Sequence, residues 1–185
     1  MLNKKTLYIA FFLSLLFQSF LFANEKEKIL TKLINTKSLE FNFDQKTNEK
    51  NEEGTCYLNF PGLLRCEYND SKKKQLIINK SRLAITQKRY NKTLFYSVKK
   101  SPFIKILNKD FLKELIRTSN LQYVNNQIKL TDLSDTEKIT ILFDKNNFNL
   151  VGWEITDQFQ NKIVFLIKIL SVNKSYDLSF FEIPS

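Results

Sequence analysis

The sequence contains no histidine, and only three glycines, three prolines and two cysteines among its 185 residues. Without histidine there can be no Ser-His-Asp or Cys-His nucleophile arrangement. Imidazole acid–base chemistry and histidine-bearing zinc sites are excluded with it. So few glycines leave no Gly-rich loop to cradle a phosphate. Paired carboxylates remain available in principle, but the spacing of Asp and Glu selects no pair. The chain is therefore expected not to be an enzyme and to need no cofactor. Two cysteines without a histidine also make no plausible metal site.

What is abundant is aromatic and basic. Phe occurs 17 times and Tyr 7 times, and 29 Lys and Arg face 19 Asp and Glu, a net charge of +10. Lys4 and Lys5 precede an almost wholly apolar stretch, Leu7 to Phe22, that ends at the small residue Ala23. A basic start, an apolar run and a small residue describe a secretory signal peptide over residues 1–23. A retained anchor is the alternative, since the run approaches the length of a membrane span. Against it, Glu25-Lys26-Glu27-Lys28 balances its charges where a stop-transfer cluster would be basic. Residues 24–185 are expected to form one domain in an exported, periplasmic location. Loss of the leader's two lysines lowers the net charge to +8. An exported protein meets no nucleic acid, so the basic excess implies attraction to an anionic membrane surface, an acidic partner, or plain solubility. The basic residues are read as spread along the chain, which favours solubility.

The periodicities are mostly those of strands. Lys26 to Ile34 places Ile29, Leu30, Leu33 and Ile34 on one helix face. Leu39, Phe41 and Phe43 then alternate with polar residues. Thr47 to Glu53 reads as a polar turn closing on Gly54. Thr55 to Phe60 and Leu63 to Tyr68 flank Pro61-Gly62 as a hairpin. Further strands are predicted at Leu76 to Asn79, Arg82 to Gln87, Thr93 to Val98, Gln122 to Leu130, Lys138 to Phe143, Leu150 to Ile155, Lys162 to Ser171 and Phe180 to Ile183. Pro102 to Leu107 and Asp110 to Ile116 carry a helical pattern instead. The fold class is therefore α+β and mainly antiparallel β: about ten strands in one highly curved sheet. Its concave side must be filled by something.

Alternation on three neighbouring strands places Leu39, Phe41, Phe43, Leu58, Phe60 and Leu64 on the inner face. Phe103, Ile106 and Leu107 are the apolar residues of a short helical lid. For any single Phe, ordinary core packing is the plainer reading. Taken together, large side chains lining a sheet that curls without closing suit a flexible apolar ligand. Cys56 and Cys66 lie five residues either side of Pro61. On the hairpin they share a face, so they form either a disulfide in an oxidising compartment or two buried thiols.

Ser38 to Lys46, an alternating aromatic strand ending in Phe43-Asp44-Gln45, resembles the first strand of the LolA family of periplasmic outer-membrane lipoprotein carriers. The series Gly54, Tyr57, Pro61, Leu64, Arg65 and Tyr68 is similar to that family's hairpin. Ser101-Pro102-Phe103 with Ile106-Leu107 resembles its lid. Trp153, Ile155, Asp157, Lys162, Val164, Asn173 and the closing Phe180 to Pro184 resemble its C-terminal pattern. Three departures stand out: Phe60 where the family often has a lid-latching arginine, Lys80-Ser81 in place of an Asp-Gly turn, and Gln160 in place of a turn glycine.

The resemblance implies an incomplete, half-open β-barrel whose hydrophobic cavity is covered by an N-terminal helix and a short lid. It implies a monomeric chaperone that takes triacylated lipoproteins from an inner-membrane lipoprotein-releasing ABC transporter to an outer-membrane lipoprotein acceptor. Leu39, Phe41, Phe43, Leu58, Phe60, Leu64, Phe103, Ile106 and Leu107 would hold the acyl chains. With Phe60 at the latch position, apolar contact is expected to hold the lid closed. The alternative function is a lipid- or lipoprotein-sensing half-barrel module of an envelope-stress regulator.

Overall fold

The structure is a computed structural model describing residues 25–48, 50–99, 101–133, 137–156 and 160–184; residues 1–23, expected to be a signal peptide, and Asp157 lie outside these residues. Eleven strands form one antiparallel sheet, ordered β6-β5-β4-β3-β2-β1-β11-β10-β9-β8-β7. In chain order they are β1 (Ser38–Thr47), β2 (Lys50–Asn59), β3 (Leu63–Tyr68), β4 (Lys74–Asn79), β5 (Arg82–Gln87), β6 (Lys92–Ser97), β7 (Gln122–Val124), β8 (Gln127–Leu133), β9 (Lys138–Asp144), β10 (Leu150–Thr156) and β11 (Lys162–Val172). All but one neighbouring pair are hairpins; β1 against β11 brings the first and last strands together at the centre of the sheet. Strands β6 and β7 lie at opposite ends of the order, so the barrel is half-open.

The register explains how one face becomes apolar. Phe41 pairs with Cys56, Cys56 with Cys66, Cys66 with Leu76, and Leu76 with Ile85. On the other flank Phe41 pairs with Ile169, while Trp153 pairs with Phe165 and with Ile141. Because side chains alternate across a strand, each cross-strand row stays on one face. Gly54 serves this packing: a Cβ there would lie 2.9 Å from the Phe43 ring and closer still to the Glu67 carbonyl.

Three helices cover the concave face: α1 over residues 25–35, α2 (Pro102–Ile106) and α3 (Lys109–Thr118). Ile29 and Leu30 of α1, Ile106 of α2, and Leu112, Leu115 and Ile116 of α3 are buried in the same core as the strands. Ser101 caps α2 by accepting from the Phe103 N–H, with Pro102 at the first helical position. Asn108 caps α3 by accepting from the Asp110 and Phe111 N–H groups.

Three sequence expectations are corrected. Thr47 to Glu53 is not a long turn: β1 and β2 pair down to Thr47 and Lys50, because polar residues at a sheet's end still satisfy the ladder. Gln122 to Leu130 is two strands, with Asn125 in the left-handed region (φ 54°) at the turn between them. Phe180 to Ile183 is no strand, since Leu178–Phe181 form a 3₁₀ turn capped by Asp177. That turn packs on the convex face, where the Phe180 ring meets Tyr57 at 5.0 Å and its carbonyl accepts from Arg65 Nη1 at 3.0 Å. In the turn between β4 and β5 Lys80 (φ 55°), and before β11 Gln160 (φ 62°), adopt the left-handed conformation although neither is a glycine.

Candidate functional site: a lidded apolar cavity

The concave face encloses a cavity of about 460 Å³, within the ~300–1,000 Å³ typical of small-ligand sites. Leu64 and Cys66 of β3, Leu76 and Ile78 of β4, and Leu83 and Ile85 of β5 form one wall. Trp153, Ile155, Ile163 and Phe165 of β10 and β11 form the other, and Pro102 and Phe103 of the lid close over them. A second cavity of about 270 Å³ lies beneath α1, between Ile29, Leu33, Leu39, Phe60 and Leu112.

The nine residues proposed from sequence are thus divided. Leu64 and Phe103 line the larger cavity and Leu39 and Phe60 the smaller. Phe41, Phe43, Leu58, Ile106 and Leu107 line neither; they belong to the packed core. The residues missed were those of β4, β5, β10 and β11. Their alternation was visible, but only the register shows that these strands face the lid.

Stacked rings run from the lid into the core. Phe103 meets Trp153 edge-on at 5.9 Å, Trp153 stacks on Phe165 at 4.4 Å, and Phe165 stacks on Phe43 at 4.8 Å. Phe43 meets Tyr68 edge-on at 5.0 Å. The Trp153 indole N–H is buried and has no hydrogen-bond partner among the described residues. Cys56 and Cys66 are joined by a disulfide that staples β2 to β3 at the cavity wall.

One end of the cavity is polar: Gln45, Glu52, Tyr68 and Lys74 gather there. Lys74 pairs with Glu52 and lies 3.6 Å from the Tyr68 ring centroid. Burial pushes the Glu52 carboxyl up, but hydrogen bonds from Lys50 and Lys74 outweigh it and hold the group below its ordinary value. Burial, with Glu52 and Asp70 nearby, pushes the Tyr68 hydroxyl well up, so it stays neutral.

The lid is held by more than apolar contact, which corrects the sequence expectation. The Gly62 N–H donates to the Leu107 carbonyl at 3.2 Å, tying the hairpin turn to the end of α2. Lys105 of α2 pairs with Asp132 of β8 at 3.2 Å. Phe60 supplies no side-chain hydrogen bond, but Lys109 Nζ of α3 lies over its ring at 5.2 Å, a cation–π contact. The exposed pair contributes little; the backbone bond and the Phe103–Trp153 contact are the stronger ties.

An unclosed antiparallel sheet whose apolar hollow is roofed by helices defines a lidded half-barrel. The chain belongs to the LolA family: residues 34–184 match outer membrane lipoprotein carrier protein LolA. No curated protein matches the chain by sequence. Among solved structures it is similar to a chain of the Pseudomonas aeruginosa MucA/MucB complex, at 9% identity, over 87% of this chain and 61% of that one, with a TM-score of 0.47. This chain therefore spans about three fifths of that chain's length. It is also similar to the Mycobacterium tuberculosis lipoprotein LppX, at 13% identity over 85% of this chain and 97% of that one (TM-score 0.45). A LolA superfamily protein from Nitrosomonas europaea is similar at 6% identity over 80% and 90% (TM-score 0.39).

Proposed function

We propose that the protein is a periplasmic, non-enzymatic carrier of acylated lipoproteins, receiving them from an inner-membrane ABC transporter and passing them to an outer-membrane acceptor. The observation that carries this reading is the cavity behind the Phe103–Trp153 contact, apolar on both walls and polar at one end. Family membership supports it. Each acyl methylene exposed to water costs about 0.8 kcal/mol, so lipid chains need shelter to cross an aqueous space. A binding site that held the chains too tightly would never deliver them. Here the lid's own Phe103 occupies the mouth, so apolar surface vacated by cargo is covered again as the lid returns. Binding and release are then an exchange between cargo and lid.

Leu83 and Ile85 give the cleanest test, because both line the cavity yet are only half-buried. Leu83→Glu and Ile85→Glu should each lower binding of a triacylated lipopeptide at least about tenfold, with the fold retained by circular dichroism. Native mass spectrometry of the protein taken from a periplasmic extract should show bound lipoprotein. Recovery of a regulator instead, with no lipid, would favour an envelope-stress sensor over a carrier.

A further inference from the structure

From Ser71 to Lys109 the chain carries Lys or Arg at twelve positions and neither Asp nor Glu. Counting charge along the whole sequence as evenly spread misses this, because other residues separate the basic ones. The fold collects the described ones: this stretch holds β4, β5, the edge strand β6 and the lid α2, one flank of the half-barrel. Lys88 and Arg89 sit at one end of the β5–β6 hairpin and Lys80, Arg82 and Lys99 at the other. Among the described residues Lys80, Arg82, Arg89, Lys92 and Lys99 form no ion pair.

Between these basic ends β6 exposes large apolar side chains: Leu94 (41%), Phe95 (51%) and Tyr96 (49%). Their placement matters. Tyr96 pairs with Leu83 and Leu94 with Ile85, and Leu83 and Ile85 line the cavity. Leu94 and Tyr96 therefore extend the cavity's apolar wall, without a break, to the open rim. Phe95 pairs with Ala84 and faces the convex side.

We propose that this basic, aromatic rim is a docking surface for an anionic phospholipid bilayer. Cations flanking exposed Phe, Tyr and Leu match the headgroup boundary, where the charges meet anionic phosphates and the rings settle among the first methylenes. The continuous wall would let an acyl chain pass between bilayer and cavity without crossing water. A protein strand adding to the β6 edge is the rival occupant, but Lys92 on that edge discourages strand addition, and strand pairing gives no reason for acid-free sequence on β4 and the lid as well. The proposal extends the carrier reading, although docking itself needs only the rim.

The test is flotation of the mature chain with vesicles of phosphatidylcholine alone or mixed with phosphatidylglycerol. Binding should be confined to the anionic vesicles and weaken with salt. Arg82→Glu/Arg89→Glu/Lys92→Glu, three of the unpaired cations, should lower it at least about a hundredfold, taking roughly fivefold per cation lost. The equal-charge control Lys46→Glu/Lys145→Glu/Lys168→Glu should lower it far less, and Leu94→Ser/Tyr96→Ser should weaken it at unchanged charge. No vesicle binding, or equal losses in the two triple variants, would overturn the proposal. Capture of an acidic strand peptide with no vesicle binding would overturn it in favour of a protein partner. A lipopeptide-binding assay on the same samples separates the two readings. Vesicle binding without lipopeptide uptake defeats the carrier and leaves the rim; uptake without vesicle binding does the reverse.

Discussion

The Trp153 indole stacks on the Phe165 ring, 4.4 Å away and 7° from parallel, and Phe103 of the lid meets the same indole edge-on at 5.9 Å. Trp153 is the only tryptophan in the chain, so one fluorophore reports the cavity wall and the lid together.

Trp153→Phe should destabilise the fold much less than Trp153→Ala. Phenylalanine keeps the stack and removes a buried, unpartnered N–H whose desolvation costs about 1–3 kcal/mol. Alanine leaves a void and should cost about 3–5 kcal/mol. Urea unfolding of the two variants measures the difference, and equal losses would mean that a phenylalanine ring recovers none of the stacking.

Lid closure can be read by acrylamide quenching of Trp153. Phe103→Ala should raise quenching strongly in the absence of cargo, because it removes the lid ring that rests against the indole. Asp132→Ala should change it little, since the Lys105–Asp132 pair is about one-third exposed and worth about 0–1 kcal/mol. Lipopeptide should alter quenching of the wild type. An emission signal indifferent to both cargo and Phe103→Ala would rule out a moving lid.

Thiol labelling of the denatured, unreduced protein should detect no free cysteine, as Cys56 and Cys66 are bridged. Replacing both by alanine should lower stability toward the low end of about 2–4 kcal/mol, because the loop closed by the bridge spans a sequence separation of only 10.

Glu52 sets an acid limit on the polar end of the cavity. Its folded-state carboxyl titrates below the ordinary value of about 4.3, so its pairing with Lys50 and Lys74 stabilises the fold fully above that value. The contribution is lost as pH falls through the depressed folded value. Glu52→Gln should therefore be less stable than wild type at neutral pH, and the two should converge in acid. A constant gap from neutral pH to pH about 3 would show the pairing contributes nothing.

Lys80 holds a left-handed backbone (φ 55°) that costs a non-glycine residue about 1–2 kcal/mol. Lys80→Gly should raise the thermal midpoint, its gain partly offset by the extra freedom glycine has when unfolded. A lower midpoint would mean that the Lys80 side chain makes a compensating contact.

Much of the architecture could be read from single residues. The alternation of Leu39, Phe41 and Phe43 marked β1, and Pro61-Gly62 marked the hairpin that sets Cys56 opposite Cys66. The helical spacing from Pro102 to Ile116 marked the lid. The C-terminal Phe180 and Phe181 were misread as a strand because aromatic residues favour strands locally. The partners of Phe180, Tyr57 and Arg65, lie more than a hundred residues away.

The sequence by itself determined that residues alternate, where the chain turns, and that no histidine chemistry is available, since each follows from local sterics or side-chain type. Tertiary structure alone decided which apolar face is cavity and which is core. Phe43 and Leu64 look alike in a pattern of alternation, yet Phe43 is enclosed by Phe165, Tyr68 and the missing Cβ of Gly54, while Leu64 borders open space. It also decided that the described cations dispersed between Ser71 and Lys109 share one flank. Both outcomes depend on which strand lies beside which, and that is fixed by long-range register, which no local pattern encodes.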